Sequence, residues 1–385
     1  MTTTPNTQHR MKVMLSVIAM QVCLGGLYAW SILFPALLGE WKTATATVGS
    51  FSAIMFAFGC TMWVANRMVL CTDVHALCVS AALLTTIGPL CAIMCPGVYP
   101  MYVVSGLFTG AGVAIGMVVP RRAINDTFMD TDDQQLLTRT VSIAFGAAAF
   151  LMAPLFVRLV AHGMTVHFIG TMIINNGVLL TTAILLRGTG KSRFTSCPQP
   201  SIKHRVSPIG LAIFSVGACA GLSVIAMIAM LVVTKGANMV TAGAFVGLLG
   251  LANGFGRVIG FTMIDRLRLN SAMAIAATVQ AIGTILLAST DNSVLRVAVA
   301  VTLVGLGYGA LVAMSIGTTQ APLMTAGSVN EQCELILGLA GVIGATGIAF
   351  TIDLTGSATA WLQAVACASA VCAVLVMLAE SQVNG

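Results

Sequence analysis

Apolar residues fill this chain in long unbroken blocks, without the every-second-residue alternation that marks strands, and the blocks set its organisation. About twelve of them recur, over roughly 13–38, 48–70, 74–94, 101–120, 140–161, 166–187, 209–234, 241–263, 271–290, 294–319, 333–353 and 360–379. A helix rises ~1.5 Å per residue, so each block is long enough to cross a hydrocarbon core of about 30 Å. In lipid a helix satisfies its own backbone polar groups, and the short alternating strands of a membrane barrel are not seen. The pattern predicts an all-α polytopic membrane protein with about twelve transmembrane helices.

Composition excludes the soluble alternatives. Of 385 residues, 58% are hydrophobic and 8% charged, with a mean hydropathy of +0.97. The formal charge of +6 reads as a topology signal, and no nucleic-acid partner follows from it. With a cytoplasmic N-terminus, Arg10, Lys12, Arg67, Arg121, Arg122, Arg139, Arg187, Arg266, Arg268 and the basic residues of a central linker fall inside, whereas Lys42, Arg158, Lys235 and Arg296 fall outside. That asymmetry predicts a multi-pass protein of the cell (inner) membrane with both termini cytoplasmic. The first block lacks a small-residue cleavage site and reads as a span that stays.

Little in the chain suggests catalysis or metal binding. The eleven cysteines are scattered through apolar segments as small core residues, and only Cys91 and Cys95 share a helix face as a pair. Asp126, Asp130, Asp132 and Asp133 after the fourth block resemble a carboxylate cluster but read as a solvated face, with no calcium site expected. His9, His75, His162, His167 and His204 lie at loops or span ends, and no nucleophile, histidine and carboxylate cluster at useful spacing. The expectation is no enzyme, no metal and no cofactor.

The linker, residues 188–208, contains Lys191, Arg193, Lys203 and Arg205 with Pro198 and Pro200, and divides the chain into six-span bundles over 1–187 and 209–385. These halves echo one another. Cys23-Leu-Gly25 is matched by Cys219-Ala-Gly221, the spacing Gly106…Gly110…Pro120 by Gly305…Gly309…Pro322, and Asn66-Arg67 by Asp265-Arg266. Parallel repeats of this kind place a substrate site near the membrane midplane, between two pseudo-symmetric bundles.

One residue fits no packing account. Arg257, in Asn253-Gly-Phe-Gly-Arg257, lies eight residues before Asp265, roughly 12 Å deeper along a helix. A guanidinium at that depth costs on the order of 2.5–3.5 kcal/mol on insertion scales and requires a partner. Its own helix offers only the neutral Asn253, one turn away. The missing counter-charge is therefore read as an anionic substrate. In the first span Gln21 and Tyr28 share a helical face, with Gly25 between them. They are candidates to line a cavity, and helix packing or an interfacial aromatic belt is the plainer alternative.

Gly26-Leu-Tyr28-Ala-Trp30-Ser31, the glycine-rich fourth span, Asn253-Gly-Phe-Gly-Arg257 with Asp265-Arg266, and Gly307-Tyr308-Gly309 resemble the oxalate/formate antiporter family. That family is a branch of the major facilitator superfamily, similar to the monocarboxylate transporters. The resemblance implies a major facilitator fold and transport of small carboxylates by exchange or with protons, with Arg257 as the carboxylate-binding cation. Three departures stand out. The eleventh span lacks the lysine that oxalate-type members carry, Asn253 replaces the aspartate of proton-coupled relatives, and Asn66 replaces aspartate in the motif after the second span.

With one cation available, a dianion would leave its second charge unpaired, so the expectation is a monocarboxylate of the formate, acetate, lactate or pyruvate kind. Discrimination against dicarboxylates is expected to be at least about a hundredfold. Tyr28 and Tyr308 would close the cavity, Gln21 and Asn253 would orient the substrate, and Ser223 and Ser315 are further candidates. Asn66, Arg67, Asp265 and Arg266 form a conformational motif, while Glu331, Glu334 and Asp353 read as interfacial. With no midplane carboxylate in view, exchange or facilitated diffusion is favoured over obligatory proton symport. The partners expected are the bilayer, the anion and, through a protonated substrate, protons, with the monomer as the functional unit. Export of amphiphilic or neutral compounds, or sensing without transport, are the competing readings.

Overall fold

The computed structural model describes residues 7–95, 97–128, 131–187, 208–289, 293–317 and 329–383. Among these residues twelve helices are long and apolar enough to span a bilayer, one for each block of the sequence. We number them α1 (Thr7–Trp41), α2 (Ala44–Cys71), α3 (Val74–Met94), α4 (Leu107–Thr127), α5 (Thr131–Ala161) and α6 (Met164–Leu185). The second six are α7 (Pro208–Thr234), α8 (Met239–Ile264), α9 (Leu269–Ala288), α10 (Val294–Gly317), α11 (Val329–Thr355) and α12 (Thr359–Val383). Twelve crossings return the chain to the side on which it starts. The side carrying Thr7 and Val383 is the terminal face, and the side carrying Lys42 and Thr355 is the far face.

The packing repeats with the sequence. In the first half α2 packs on α4, α4 on α3, α3 on α6, and α1 on α5. Six helices later the same pairs recur as α8 on α10, α10 on α9, α9 on α12, and α7 on α11. The halves meet along two long crossings, α5 with α8 and α2 with α11, which the repeat exchanges for one another.

The linker at 188–207 lies outside the described residues, as does Pro322, and α7 already begins at Pro208. Three helices depart from the run boundaries, each with a physical cause. The first block is not one uniform helix: Gly25–Leu33 forms a 3₁₀ segment between Thr7–Leu24 and Phe34–Trp41. Paired Gly25 and Gly26 weaken the α-helix there, and all nine residues of the segment are buried. The block at 101–120 opens with a π turn, Met101–Gly106, and its helix continues through Pro120 as far as Thr127. Arg121 and Arg122, expected beyond the helix end, are therefore inside it. The fifth helix starts at Thr131, taking Asp132 and Asp133 into its first turn, where the helix dipole favours acidic groups.

The acidic stretch is dispersed into ion pairs. Asp126 meets Arg122 one turn away at 2.8 Å, and Asp133 meets Arg10, while Asp130 lies outside the described residues. Among the described residues no three His, Cys, Asp or Glu side chains converge. Cys91 and Cys95 are unbonded thiols.

Candidate functional site

The site forms where α5 and α8 cross between the halves. Small residues allow the approach: Gly250 and Gly254 of α8 lie against Ala149 and Ala147 of α5. One turn further along α8, Arg257 reaches across the crossing and passes over Gly146. A Cβ at Gly146 would lie 2.6 Å from its Nε, so this glycine leaves the room the guanidinium occupies.

Arg257 is 1% exposed, and every acceptor it finds is neutral. Nη1 donates to Ser142 Oγ at 2.8 Å and to the Ser142 carbonyl at 2.9 Å. Nε donates to Asn253 Oδ1 at 3.4 Å and Nη2 to Tyr28 Oη at 3.4 Å. The guanidinium also lies 5.7 Å from the centre of the Phe145 ring, a cation–π contact that offsets part of the lost hydration. Among the described residues no carboxylate forms an ion pair with it. Burying an ion costs several kcal/mol unless a counter-charge or strong hydrogen bonds compensate. Two of these bonds are long, and the positive charge stands unbalanced.

Tyr28 joins Arg257 to the second tyrosine. Its hydroxyl lies 3.2 Å from that of Tyr308, with the ring edge-on to Phe145 at 5.2 Å and to Tyr308 at 6.2 Å. Arg257, Asn253, Tyr28 and Tyr308, picked from three separate stretches of sequence, are thus brought into one hydrogen-bonded group spanning both halves.

A cavity extends from this group towards the terminal-face ends of α4 and α11. Arg257, Tyr28, Phe145 and Ser315 are in its wall, and much of the rest is apolar: Leu27, Met55, Phe58, Met62, Met117, Phe214 and Leu337. Ser315 donates to the Val312 carbonyl at 2.8 Å. Two charged residues complete the lining, Arg121 of α4 and Glu334 of α11.

Those two residues correct the sequence reading. Glu334 lies near the terminal end of α11, as expected, but it is 8% exposed and faces the cavity. Its Oε1 pairs with Arg121, and its Oε2 accepts from Asn66 Nδ2 at 2.6 Å. Arg121 Nη1 also donates to Asn66 Oδ1 at 3.2 Å. The result is a closed triangle of two first-half residues and one second-half residue at the terminal end of the cavity. The Arg67 and Glu331 side chains fall outside the described residues.

Asp265 is engaged by Arg139 through two bonds, 2.9 and 3.0 Å, again across the halves, and Arg266 is exposed. At the far face Asp353 is exposed, as expected of an interfacial residue. It accepts from the backbone nitrogens of Ala44 and Thr45 at 2.7 and 2.8 Å, holding α11 against the start of α2.

Two candidates stand elsewhere. Ser223 is buried between α7 and α12, donating to the Cys219 carbonyl and accepting from Trp361 Nε1 at 2.9 Å. Gln21 is buried but absent from the cavity wall. Gln21 and Tyr28 lie about two turns apart along the first span, and the cavity reaches only Leu27 and Tyr28 of it. Reading by residue type missed Arg121, Glu334, Ser142, Phe145 and Gly146. The available signal was one of charge, an acidic and a basic residue near the same ends of spans four and eleven.

Neither a protein-family model nor a curated protein sequence matches the chain. Solved structures do. The chain is similar to the D-xylose-proton symporter with a TM-score of 0.65 at 15% identity, over 96% of this chain and 97% of that one. It is similar to a bacterial homologue of the iron transporter ferroportin in its outward-facing state with a TM-score of 0.63 at 14% identity, over 96% and 99% of the two chains. At these identities the likeness is one of fold, and the fold is the twelve-helix major facilitator fold.

Proposed function

We propose that this chain is a secondary transporter of small organic anions, foremost monocarboxylates of the formate, acetate, lactate and pyruvate kind, working by alternating access as a monomer. The observation that carries the reading is Arg257, a fully buried guanidinium at the junction of the halves whose protein partners are all neutral. A carboxylate can take two parallel hydrogen bonds from a guanidinium and supply the missing charge. The cavity beside it gives that carboxylate a place to bind.

Alternating access is supported by where the halves touch. Polar contacts join them at the terminal face through Glu334 with Arg121 and Asn66, and through Arg139 with Asp265. At the far face Asp353 joins them through the start of α2. Opening either end requires one set to break while the other holds. The excess of basic residues on the terminal face supports a cytoplasmic position for it. The preference for exchange over proton symport rests on the lack of a midplane carboxylate among the described residues, since Glu334 sits at the terminal end of the cavity, engaged by Arg121 and Asn66.

Uptake into proteoliposomes, with labelled pyruvate, acetate, formate and oxalate and with or without a pH gradient, tests the proposal. Saturable monocarboxylate uptake is expected, with Arg257→Gln reducing it at least about a hundredfold, since truncating a buried charged hydrogen-bonding group costs roughly 3–5 kcal/mol. The apolar wall favours one second reading, export of amphiphilic compounds with Arg257 as a packing residue. Transport that is indifferent to Arg257→Gln, together with no carboxylate flux, would establish it instead.

A further inference from the structure

We propose that Glu334 sets the valence of the anion this cavity accepts, by neutralising a second cation, Arg121, that would otherwise pair with a second carboxylate. The inference rests on the anion-transport reading above and specifies the substrate class of the same site.

Its starting point is a charge count. Three ionised side chains are in the cavity wall: Arg121 and Arg257 are positive and Glu334 is negative, leaving a net charge of +1. The two cations differ in what surrounds them. Arg257 has neutral acceptors only, whereas Arg121 pairs with Glu334 and also donates to Asn66. Both oxygens of Glu334 are occupied, by Arg121 and by Asn66. The carboxylate is thus fixed on the cation it cancels, in a largely buried site. In such surroundings an unmatched charge costs far more than at a surface.

The spare charge of the cavity therefore matches a monoanion held at Arg257. A dicarboxylate arriving there would present its second group to a wall of Met55, Phe58, Met62 and Met117, with Arg121 already engaged. A single cation, as read from the sequence, was the wrong reason for monoanion preference. Two cations and one fixed carboxylate give the same net charge, and they make the preference depend on a residue distant from Arg257 in the sequence.

The competing account is purely mechanical: Glu334 joins the halves and has no influence on selectivity. The two accounts differ in sign. Glu334→Gln raises the cavity charge to +2 and Arg121→Gln lowers it to zero, while Glu334→Gln with Arg121→Gln returns it to +1. All three variants break the ion pair alike.

Binding of pyruvate and of malonate to the purified full-length chain in nanodiscs, by titration calorimetry, separates these. The malonate-to-pyruvate affinity ratio is expected to rise at least about tenfold in Glu334→Gln and to return to within about threefold of wild type in the double variant. Pyruvate affinity is expected to fall at least about tenfold in Arg121→Gln. An unchanged ratio in Glu334→Gln, or the same shift in the single and double variants, overturns the inference. Should Glu334→Gln fail to fold, Arg121→Gln alone decides: undiminished pyruvate affinity overturns it. If the wild type binds neither acid, the anion reading itself is lost. Pyruvate binding that Arg257→Gln abolishes, with a ratio insensitive to Glu334, removes only the present inference.

Discussion

Arg257 is tolerable in its buried position because five compensations act together: two bonds to Ser142, one each to Asn253 and Tyr28, and the Phe145 ring. Each can yield to a carboxylate without stranding a charge. Tyr28 bonds both Arg257 and Tyr308, so Tyr28→Phe removes one hydrogen bond from a cation and one neutral one, both long, together worth about 1–3 kcal/mol. The expected result is a rise of roughly 5–150-fold in KM for monocarboxylate uptake. Gly146→Ala acts on position instead of chemistry. The added methyl would sit 2.6 Å from Nε and 2.9 Å from Cδ, so the guanidinium must shift. A displaced anchor is expected to lower pyruvate affinity about tenfold or more, and titration of the purified variant reads it directly. Binding equal to wild type would mean that Arg257 does not anchor the anion. The arginine was legible in the sequence because its depth is costly. The glycine was not, since a small residue in a span has many uses and only the crossing of α5 and α8 shows which applies.

At the scale of elements, α1 shows where sequence periodicity stops working. The face shared by Gln21 and Tyr28 assumed one helical pitch, and the 3₁₀ segment changes the pitch between them. The two still lie within about 40° of one another, and the wall takes Tyr28 but not Gln21, about two turns away along the span. Irregular turns of this kind often mark hinges in helices, and this one borders the cavity. The junction of α2 and α11 is the matching element at the other crossing. Gly59 and Gly338 bring their backbones together there, a Cβ on Gly59 lying 3.0 Å from the Gly338 Cα. At its far end the Asp353 carboxylate accepts from the first backbone nitrogens of α2, a capping arrangement typically worth about 0.5–2 kcal/mol. Asp353→Asn is expected to favour opening at the far face. In a chain lacking its native cysteines, a thiol introduced by Leu27→Cys should react about 2–30-fold faster with an impermeant reagent added from that face. No change in rate would mean that Asp353 does not hold the far face closed.

For the whole molecule, the central expectation is that the halves must move against each other. Ser52 and Thr346 meet across the α2–α11 crossing with their hydroxyls 3.0 Å apart. Cysteines at both positions, Ser52→Cys with Thr346→Cys, fall close enough for a disulfide between them. Oxidation is expected to stop uptake and reductant to restore it, in the same cysteine-free background. Uptake that persists in fully cross-linked protein would exclude rocking about this crossing. The opposed charges at the terminal face act on the same scale. Glu334 belongs to the second half and its partners to the first, so the residue that balances the cavity charge also joins the halves.

What the sequence determined by itself follows from cost. Long apolar blocks in a nearly uncharged chain have no stable state outside a bilayer, and in lipid the backbone has to close its hydrogen bonds as helices, so the number and class of elements could be read directly. The depth of Arg257 was equally plain, because a buried guanidinium needs a counter-charge wherever the helix is placed. Tertiary structure decided everything that depends on which faces meet. Arg121 and Glu334 each looked like an ordinary charge at the end of a span, 213 residues apart. Only the packing of α4 and α11 around one cavity made them a pair. Ser223, chosen by type alone, turned out to serve Trp361. Helical periodicity assigns a residue to a face of its own helix, but what stands opposite that face is fixed by the packing of the others.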